Sequence, residues 1–240
     1  MDNLRVVLVS TRNPLNMGAA ARAMSNFGCT RLRVVTPYEL AWREARSAVG
    51  AAELLAAAEE FGSVADAVAD CALVVGTTAA RDRALEHEVH SPARGGEIIR
   101  ARLATQPVAL LFGSEKRGLS NEDLSHCHWL LHIPTRGERP SMNLGQAVAV
   151  CLYELARTEG AEAADGPAKL ASTLGLERLT EVLFEALLES GYVKEQSAGA
   201  TREKIRRLIR RINLTDADAE VVLGMMRQIV WKLRTGRGNR

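Results

Sequence analysis

Residues 140–150 read Pro-Ser-Met-Asn-Leu-Gly-Gln-Ala-Val-Ala-Val. They follow a short apolar run, Trp129 to Ile133, that reads as a strand. From Leu144 onward, Ala147, Val148, Val150, Cys151, Leu152 and Leu155 follow with few polar breaks. A helix apolar all round is buried on every side, in a core or at a subunit interface. A strand, a polar loop carrying Ser141 and Asn143, and a buried helix form the unit from which open α/β sheets build ligand sites.

The same alternation recurs upstream. Strands are expected over Arg5 to Ser10, Leu32 to Thr36, Ala72 to Gly76 and Val108 to Phe112. Each is short, rich in Val and Leu, and continuously apolar, the pattern of strands covered on both faces in a parallel sheet. Helices are expected over Leu15 to Phe27, Ala51 to Phe61, Ser63 to Ala69, Gly95 to Leu103 and Glu122 to Cys127. Gly28 is placed to stop the first, and Ser120 with Asp123 resembles a capping box for the last. The fold class is therefore α/β, with ligands expected beyond the carboxyl ends of the strands.

Residues 160–166, rich in Ala, Glu and Gly, read as a linker. The division is an α/β unit over 1–160, a linker over 161–166 and a small all-helical extension over 167–240. In the extension Leu176, Leu179, Val182, Leu183, Ala186 and Leu187 recur at helical spacing. Thr201 is expected to cap a basic helix ending at Arg211. Thr215 or Asp216 starts the last helix, with Val221, Val222, Met225, Ile229 and Leu233 on one face. Little independent core is expected there.

The 240 residues are 47% hydrophobic and 25% charged, ordinary for a globular protein. No apolar run approaches the roughly 18 residues of a membrane span. The opening Met-Asp-Asn-Leu-Arg enters a strand at once, so no signal peptide is expected. Cys29, Cys71, Cys127 and Cys151 form no C-x-x-C pair and read as free thiols in a reducing cytoplasm. The net charge of +2 is uneven. Residues 161–240 hold 14 Lys or Arg against 11 Asp or Glu, which leaves 17 against 18 for the first 160. Arg202, Lys204, Arg206, Arg207, Arg210 and Arg211 fall within ten residues, opposed by Glu203 alone. Such an excess on three turns points to phosphate contact. With aromatic content of only 4%, recognition of RNA backbone and shape is expected rather than base stacking.

Two glycine-bearing loops carry the remaining chemistry. Gly113-Ser-Glu-Lys-Arg-Gly-Leu-Ser120 has the spacing of a phosphate loop, but Leu119 stands where that loop needs Lys, and Glu115 lies inside it. Triphosphate hydrolysis is therefore not expected, although the glycines imply a close backbone approach. Thr11-Arg-Asn-Pro-Leu-Asn-Met-Gly-Ala-Ala-Ala-Arg22 turns at Asn13-Pro14 into a helix with a small-residue face. Asn16 and Arg22 can share one cleft only if Asn16 lies in an irregular first turn, and that is the expectation. His126, Cys127, His128 and His132 cluster in sequence but are too spread for a tetrahedral site, so no metal is expected.

The three blocks, taken in order, resemble the SpoU branch of the SPOUT RNA 2′-O-methyltransferases. The matching residues are Asn16 with Arg22, Phe-Gly-x-Glu-x-x-Gly-Leu at 112–119, Ile-Pro at 133–134 and Ser-Met-Asn-Leu at 141–144. Gly-Thr-Thr-Ala-Ala-Arg at 76–81 and the C-terminal helices look most like the members that methylate the ribose of nucleotide 32 in the tRNA anticodon loop. The resemblance implies a deep C-terminal trefoil knot and a homodimer with active sites at its interface. It implies S-adenosyl-L-methionine held by Thr77, Thr78, Ala79, Gly113, Ile133, Ser141, Met142, Asn143 and Leu144. It assigns catalysis to Arg22, Asn16, Glu115, Ser141 and Asn143. An enzyme acting on ribosomal RNA, or a non-catalytic RNA-binding module, are the alternatives.

Overall fold

A computed structural model describes residues 1–37, 42, 45, 47–79, 86–136, 141–157 and 169–237. The expected linker falls outside the described residues. Seven strands form one sheet: β1 (Leu4–Val9), β2 (Leu32–Val35), β3 (Glu59–Phe61), β4 (Leu73–Thr78), β5 (Val89–His90), β6 (Val108–Phe112) and β7 (Trp129–His132). The order is β3-β2-β1-β6-β4-β7-β5, and every pairing is parallel. The continuous apolar runs of β1 and β6 have the reason expected of them, since both faces are covered. Leu4, Val6, Leu8, Val108, Leu110 and Phe112 join one core. The alternate residues Val7, Val9, Ala109 and Leu111 join the other.

Helices α1 (Pro14–Asn26), α4 (Pro92–Leu103) and α6 (Leu144–Ala156) cover the first face, through Met17, Met24, Ile99, Val148 and Leu152. The short α2 (Ala52–Ala56) packs there as well, while α3 (Val64–Ala67) and α5 (Asn121–Ser125) cover the second face. Local chemistry sets the helix ends. Asn13 Oδ1 accepts from Leu15 N at 2.9 Å with Pro14 in the first turn. Gly28 ends α1 with φ +67°. The Ser120–Asp123 capping box is formed.

Two strands escaped the sequence pattern. The helix expected over Ala51 to Phe61 stops at Ala56, and Glu59–Phe61 becomes edge strand β3. Its three residues are too few to show alternation, and pairing with β2 decides the matter. The two residues of β5 carry no pattern at all. The helix expected from Gly95 begins at Pro92, capped by Ser91.

The C-terminal residues form α7 (Thr173–Glu189), α8 (Ala198–Arg211) and α9 (Asp216–Arg237). Contrary to expectation, they possess a core of their own, built from Leu176, Leu179, Phe184, Ile205, Ile209 and Leu223. Thr201 lies inside α8, which starts three residues earlier. On α9 the buried residues are Ala219, Leu223 and Val230, so the expected face is displaced, and Val221, Met225 and Ile229 are exposed. The bundle is tied to the α/β unit by hydrogen bonds from a side-chain amide and from the main chain. Gln106 exchanges two hydrogen bonds with the Leu170 backbone at 3.0 and 3.1 Å. Thr173 N donates to Cys71 O at 2.8 Å. Among the described residues, no helix is long and apolar enough to cross a membrane.

Candidate active site

A parallel sheet puts all its carboxyl ends on one edge, and three adjacent strands there open into a cavity of about 310 Å³. β4 contributes Thr77, Thr78 and Ala79, the loop after β6 contributes Gly113 to Leu119, and Ile133 follows β7. Ser141, Met142, Leu144 and Ala147 close it from the start of α6. Eight of the nine residues that the resemblance assigned to the cofactor thus line one cavity; Asn143 does not. Leu124 and Leu131 are lining residues that sequence reading missed. Their apolar character is indistinguishable from that of core; the position of α5 brings Leu124 to the rim and the register of β7 brings Leu131 there.

The loop after β6 is folded on itself rather than open as a phosphate cradle. Gly118 N donates to Ser114 O at 2.7 Å, and Gly118 holds φ +67°. A Cβ on Gly113 would lie 2.1 Å from the Gly118 carbonyl carbon, so position 113 admits only glycine. This close approach turns Glu115 toward α1.

Glu115 anchors a chain of hydrogen bonds that joins all three sequence blocks. Its carboxylate accepts from Asn16 Nδ2 at 2.8 Å, Arg12 N at 3.2 Å and Asn13 N at 3.3 Å. Asn16 Oδ1 accepts from Asn143 Nδ2 at 3.0 Å, and Asn143 Oδ1 caps α6 by accepting from Gly145 N at 3.0 Å. Burial acts to raise the Glu115 pKa. The hydrogen bonds from Asn16 and from backbone N–H groups outweigh it, holding the carboxyl below its ordinary value. The site therefore carries a fixed anion beside the cavity.

Arg22 is not gathered with these residues. Asn16 is a helical residue of α1, its N–H bonded to Asn13 O at 3.0 Å. Six residues of helix turn the chain by about 240°, so Arg22 leaves on another face. The expected irregular turn is absent, and one cleft within one chain does not hold both. Arg22 is exposed and makes no hydrogen bond or ion pair with a described residue. It lies two turns from Leu15, on the same face of α1. Helices α1 and α6 touch where a Cβ on Gly145 would meet the Ala19 Cβ at 2.7 Å. Leu15 and Tyr153 are each 54% exposed, so α6 is not buried on every side in the single chain.

The basic helix also divides. Arg202, Lys204 and Arg211 are exposed. Arg206 and Arg210 are buried against Glu177, so in this fold they cannot meet a phosphate. The sequence count sums charges over all faces of the helix, whereas only one face looks outward. Arg207 is half-buried, pairing with Glu86 at 2.8 Å. The histidines have structural surroundings: His128 Nδ1 accepts from Val74 N at 3.0 Å. Burial, with Arg210 nearby, pushes both His126 and His128 down to about 3. Among the described residues, no group of three or more His, Cys, Asp or Glu is arranged to hold a metal ion.

The SpoU rRNA methylase family matches residues 3–153, which include every residue of this site. The chain belongs to the SpoU methylase family. It is 36% identical to the tRNA (cytidine/uridine-2′-O-)-methyltransferase TrmJ of Salmonella typhimurium, over 95% of this chain and 97% of that one. The TrmJ of Escherichia coli O6:K15:H31 is likewise 36% identical, over 95% and 96%. Among solved structures, TrmJ from Z. mobilis ZM4 superposes with a TM-score of 0.83 at 29% identity, covering 94% of this chain and 98% of that one. A probable methylase family protein from Haemophilus influenzae Rd KW20 gives 0.59 at 28% identity, covering 98% and 99%. The similarity thus extends past the SpoU methylase region into the C-terminal helices.

Proposed function

We propose that this SpoU methylase transfers a methyl group from S-adenosyl-L-methionine to the ribose 2′-hydroxyl of nucleotide 32 in the tRNA anticodon loop. The observation that carries this reading is the Glu115–Asn16–Asn143 hydrogen-bonded chain beside a cavity lined by all three SpoU blocks. Near-full-length similarity to the TrmJ enzymes supports tRNA over ribosomal RNA as substrate.

The cavity suits the cofactor chemically. Leu119, Leu131, Ile133, Met142 and Leu144 would offer apolar walls to a flat heterocycle, and the Glu115 carboxylate would give the cavity a negative charge suited to a cationic cofactor. Thr77 Oγ1 donates to Leu111 O at 2.9 Å, which fixes its orientation at the rim. The bound cofactor supplies an electrophilic methyl group; the chain supplies position and charge. As the methyl group would pass from sulfur to the 2′-oxygen, the hydroxyl proton would pass to a phosphate oxygen of the target RNA or to water, and the oxygen gains negative charge as that proton leaves. The Arg22 guanidinium stabilises that oxygen, with Ser141 at the cavity edge assisting. Asn16, Glu115 and Asn143 hold the ribose side of the site in place.

Because Arg22 faces away from its own Asn16, it reaches the site across a homodimer. The α1–α6 surface bearing Leu15, Arg22 and Tyr153 is the proposed interface. A trefoil knot in the C-terminal part of the sheet belongs to the same reading, supported by the order β6-β4-β7 and by described residues after β6 and after β7 lining one cavity. Residues 1–160 then form the catalytic domain and 167–240 the tRNA-binding extension. Arg202, Lys204 and Arg211 offer phosphate contacts, while Arg207 is engaged by Glu86 and Glu203. Four buried free thiols accord with cytoplasmic work on tRNA.

A radiolabelled methyl-transfer assay with total tRNA and with ribosomal RNA tests the proposal. Label is expected in tRNA alone; label in ribosomal RNA instead, or in neither, overturns it.

A further inference from the structure

Helix α5 has five residues, too few to hold its own place in the fold. The capping box fixes its N-terminus, and two arginines from α8 fix its other end. Arg206 Nη1 donates to Ser125 Oγ at 3.1 Å, and Ser125 Oγ donates onward to Glu122 O at 2.6 Å. Arg210 Nε donates to His126 O at 2.8 Å. One carboxylate on α7 holds both guanidiniums. Glu177 accepts from Arg206 Nη2 at 2.8 Å and from Arg210 Nη2 at 3.2 Å. Arg210 is 0% exposed.

Burying such a cation is costly, and apolar residues of the same volume would often pack the helices together as well. What the arginines add is direction, because each guanidinium fixes a named oxygen at a set point. Those oxygens belong to the short element that forms part of the cavity wall. Leu124 lies within α5, and Leu119 stands one residue before its cap; both line the cavity and are 5% and 2% exposed. Moving the C-terminal end of α5 therefore moves that wall.

We propose that Arg206 and Arg210 are positioning residues for the cofactor cavity, holding α5 from the C-terminal helices so that Leu119 and Leu124 shape the wall. The proposal rests on the reading of that cavity as the S-adenosylmethionine site. It makes cofactor affinity a property of the whole chain, and gives the buried half of the basic helix a function separate from RNA contact.

The test is calorimetric titration of full-length protein with S-adenosylmethionine, with KM and kcat measured in parallel. Ser125→Ala and Arg206→Gln are each expected to raise the cofactor Kd and KM about five- to tenfold, the upper end of the scale for one ordinary hydrogen bond. Turnover at saturating cofactor should stay near wild type. Glu185→Gln breaks the ion pair to Arg234 within the bundle and does not touch α5. It should leave the Kd unchanged even if the melting temperature falls. Unchanged Kd in folded Ser125→Ala and Arg206→Gln overturns the proposal while sparing the cofactor reading. Should Arg206→Gln fail to fold, the milder Ser125→Ala decides alone. Absence of binding by wild-type protein overturns the cofactor reading itself, and the proposal with it.

Discussion

On α1, Arg22 is exposed and has no partner among the described residues, whereas on α8 Arg210 is wholly buried and shared between Glu177 and the carbonyl of His126. The first stands on a helix of the α/β unit, the second on a helix packed against that unit. The first turns its guanidinium to the surface. The second is spent on holding two parts of the chain together. An arginine's role here follows from the face it occupies, not from its helix or from the charge density around it.

The sharpest way to break this contrast is to remove the exposed member. Arg22→Ala should lower single-turnover methyl transfer by about 10²- to 10³-fold, as for loss of a group that stabilises developing negative charge. Cofactor affinity and melting temperature should not change. Retained turnover would remove Arg22 from the chemistry. Arg210→Met should do the reverse. Breaking a buried pair from one side costs about 3 kcal/mol of stability, read by urea unfolding, and the loss should be far larger than for Arg22→Ala.

The pH dependence sharpens the buried side. His126 and His128 are pushed down to about 3, so they stay neutral in the fold and protonate near 6.5 only when unfolded. Their contribution is fully present above about pH 6.5 and is lost as pH falls from there toward about 3. Glu177 is held below its ordinary value: burial acts to raise it, but hydrogen bonding and charge from Arg206 and Arg210 outweigh that. Its contribution is present above about pH 4.3 and lost as pH falls through its lowered value. Urea midpoints should therefore decline from about pH 6.5 downward, more steeply below about 4.3. His128→Asn keeps an acceptor for Val74 N while removing a titrating group, and should flatten the upper part of that decline.

The smallest effects belong to the exposed face of α8. Lys204→Gln and Arg211→Gln should each weaken tRNA binding a few-fold and reduce the salt slope by about 1, leaving cofactor Kd unchanged. A salt slope equal to that of wild type would make this face merely solvated.

How far the residues announced these outcomes depends on whether the information is local. The strands of the central sheet were legible because burial on both faces leaves an unbroken apolar run, as in Val108–Phe112. Caps at Asn13 and Ser120 were legible because a side chain and its backbone partner lie within three residues. Edge strands β3 and β5 were not, since their identity comes from a neighbour distant in sequence. Much of the cavity lining was legible as motif, while Leu124 and Leu131 were not, because a lining leucine and a core leucine have the same chemistry. The basic helix shows the limit most clearly. Glu177, twenty-nine residues before Arg206, is what turns two of its cations inward, and nothing in the run itself signals that partner.

The most direct measurement is the chemical position of the transferred methyl group. tRNA labelled by the wild-type enzyme and digested with alkali reports it, because alkaline cleavage requires a free 2′-hydroxyl. Label is expected in an alkali-stable dinucleotide that maps to nucleotide 32 of the anticodon loop. Label recovered in alkali-released mononucleotides would place the methyl on a base and contradict it.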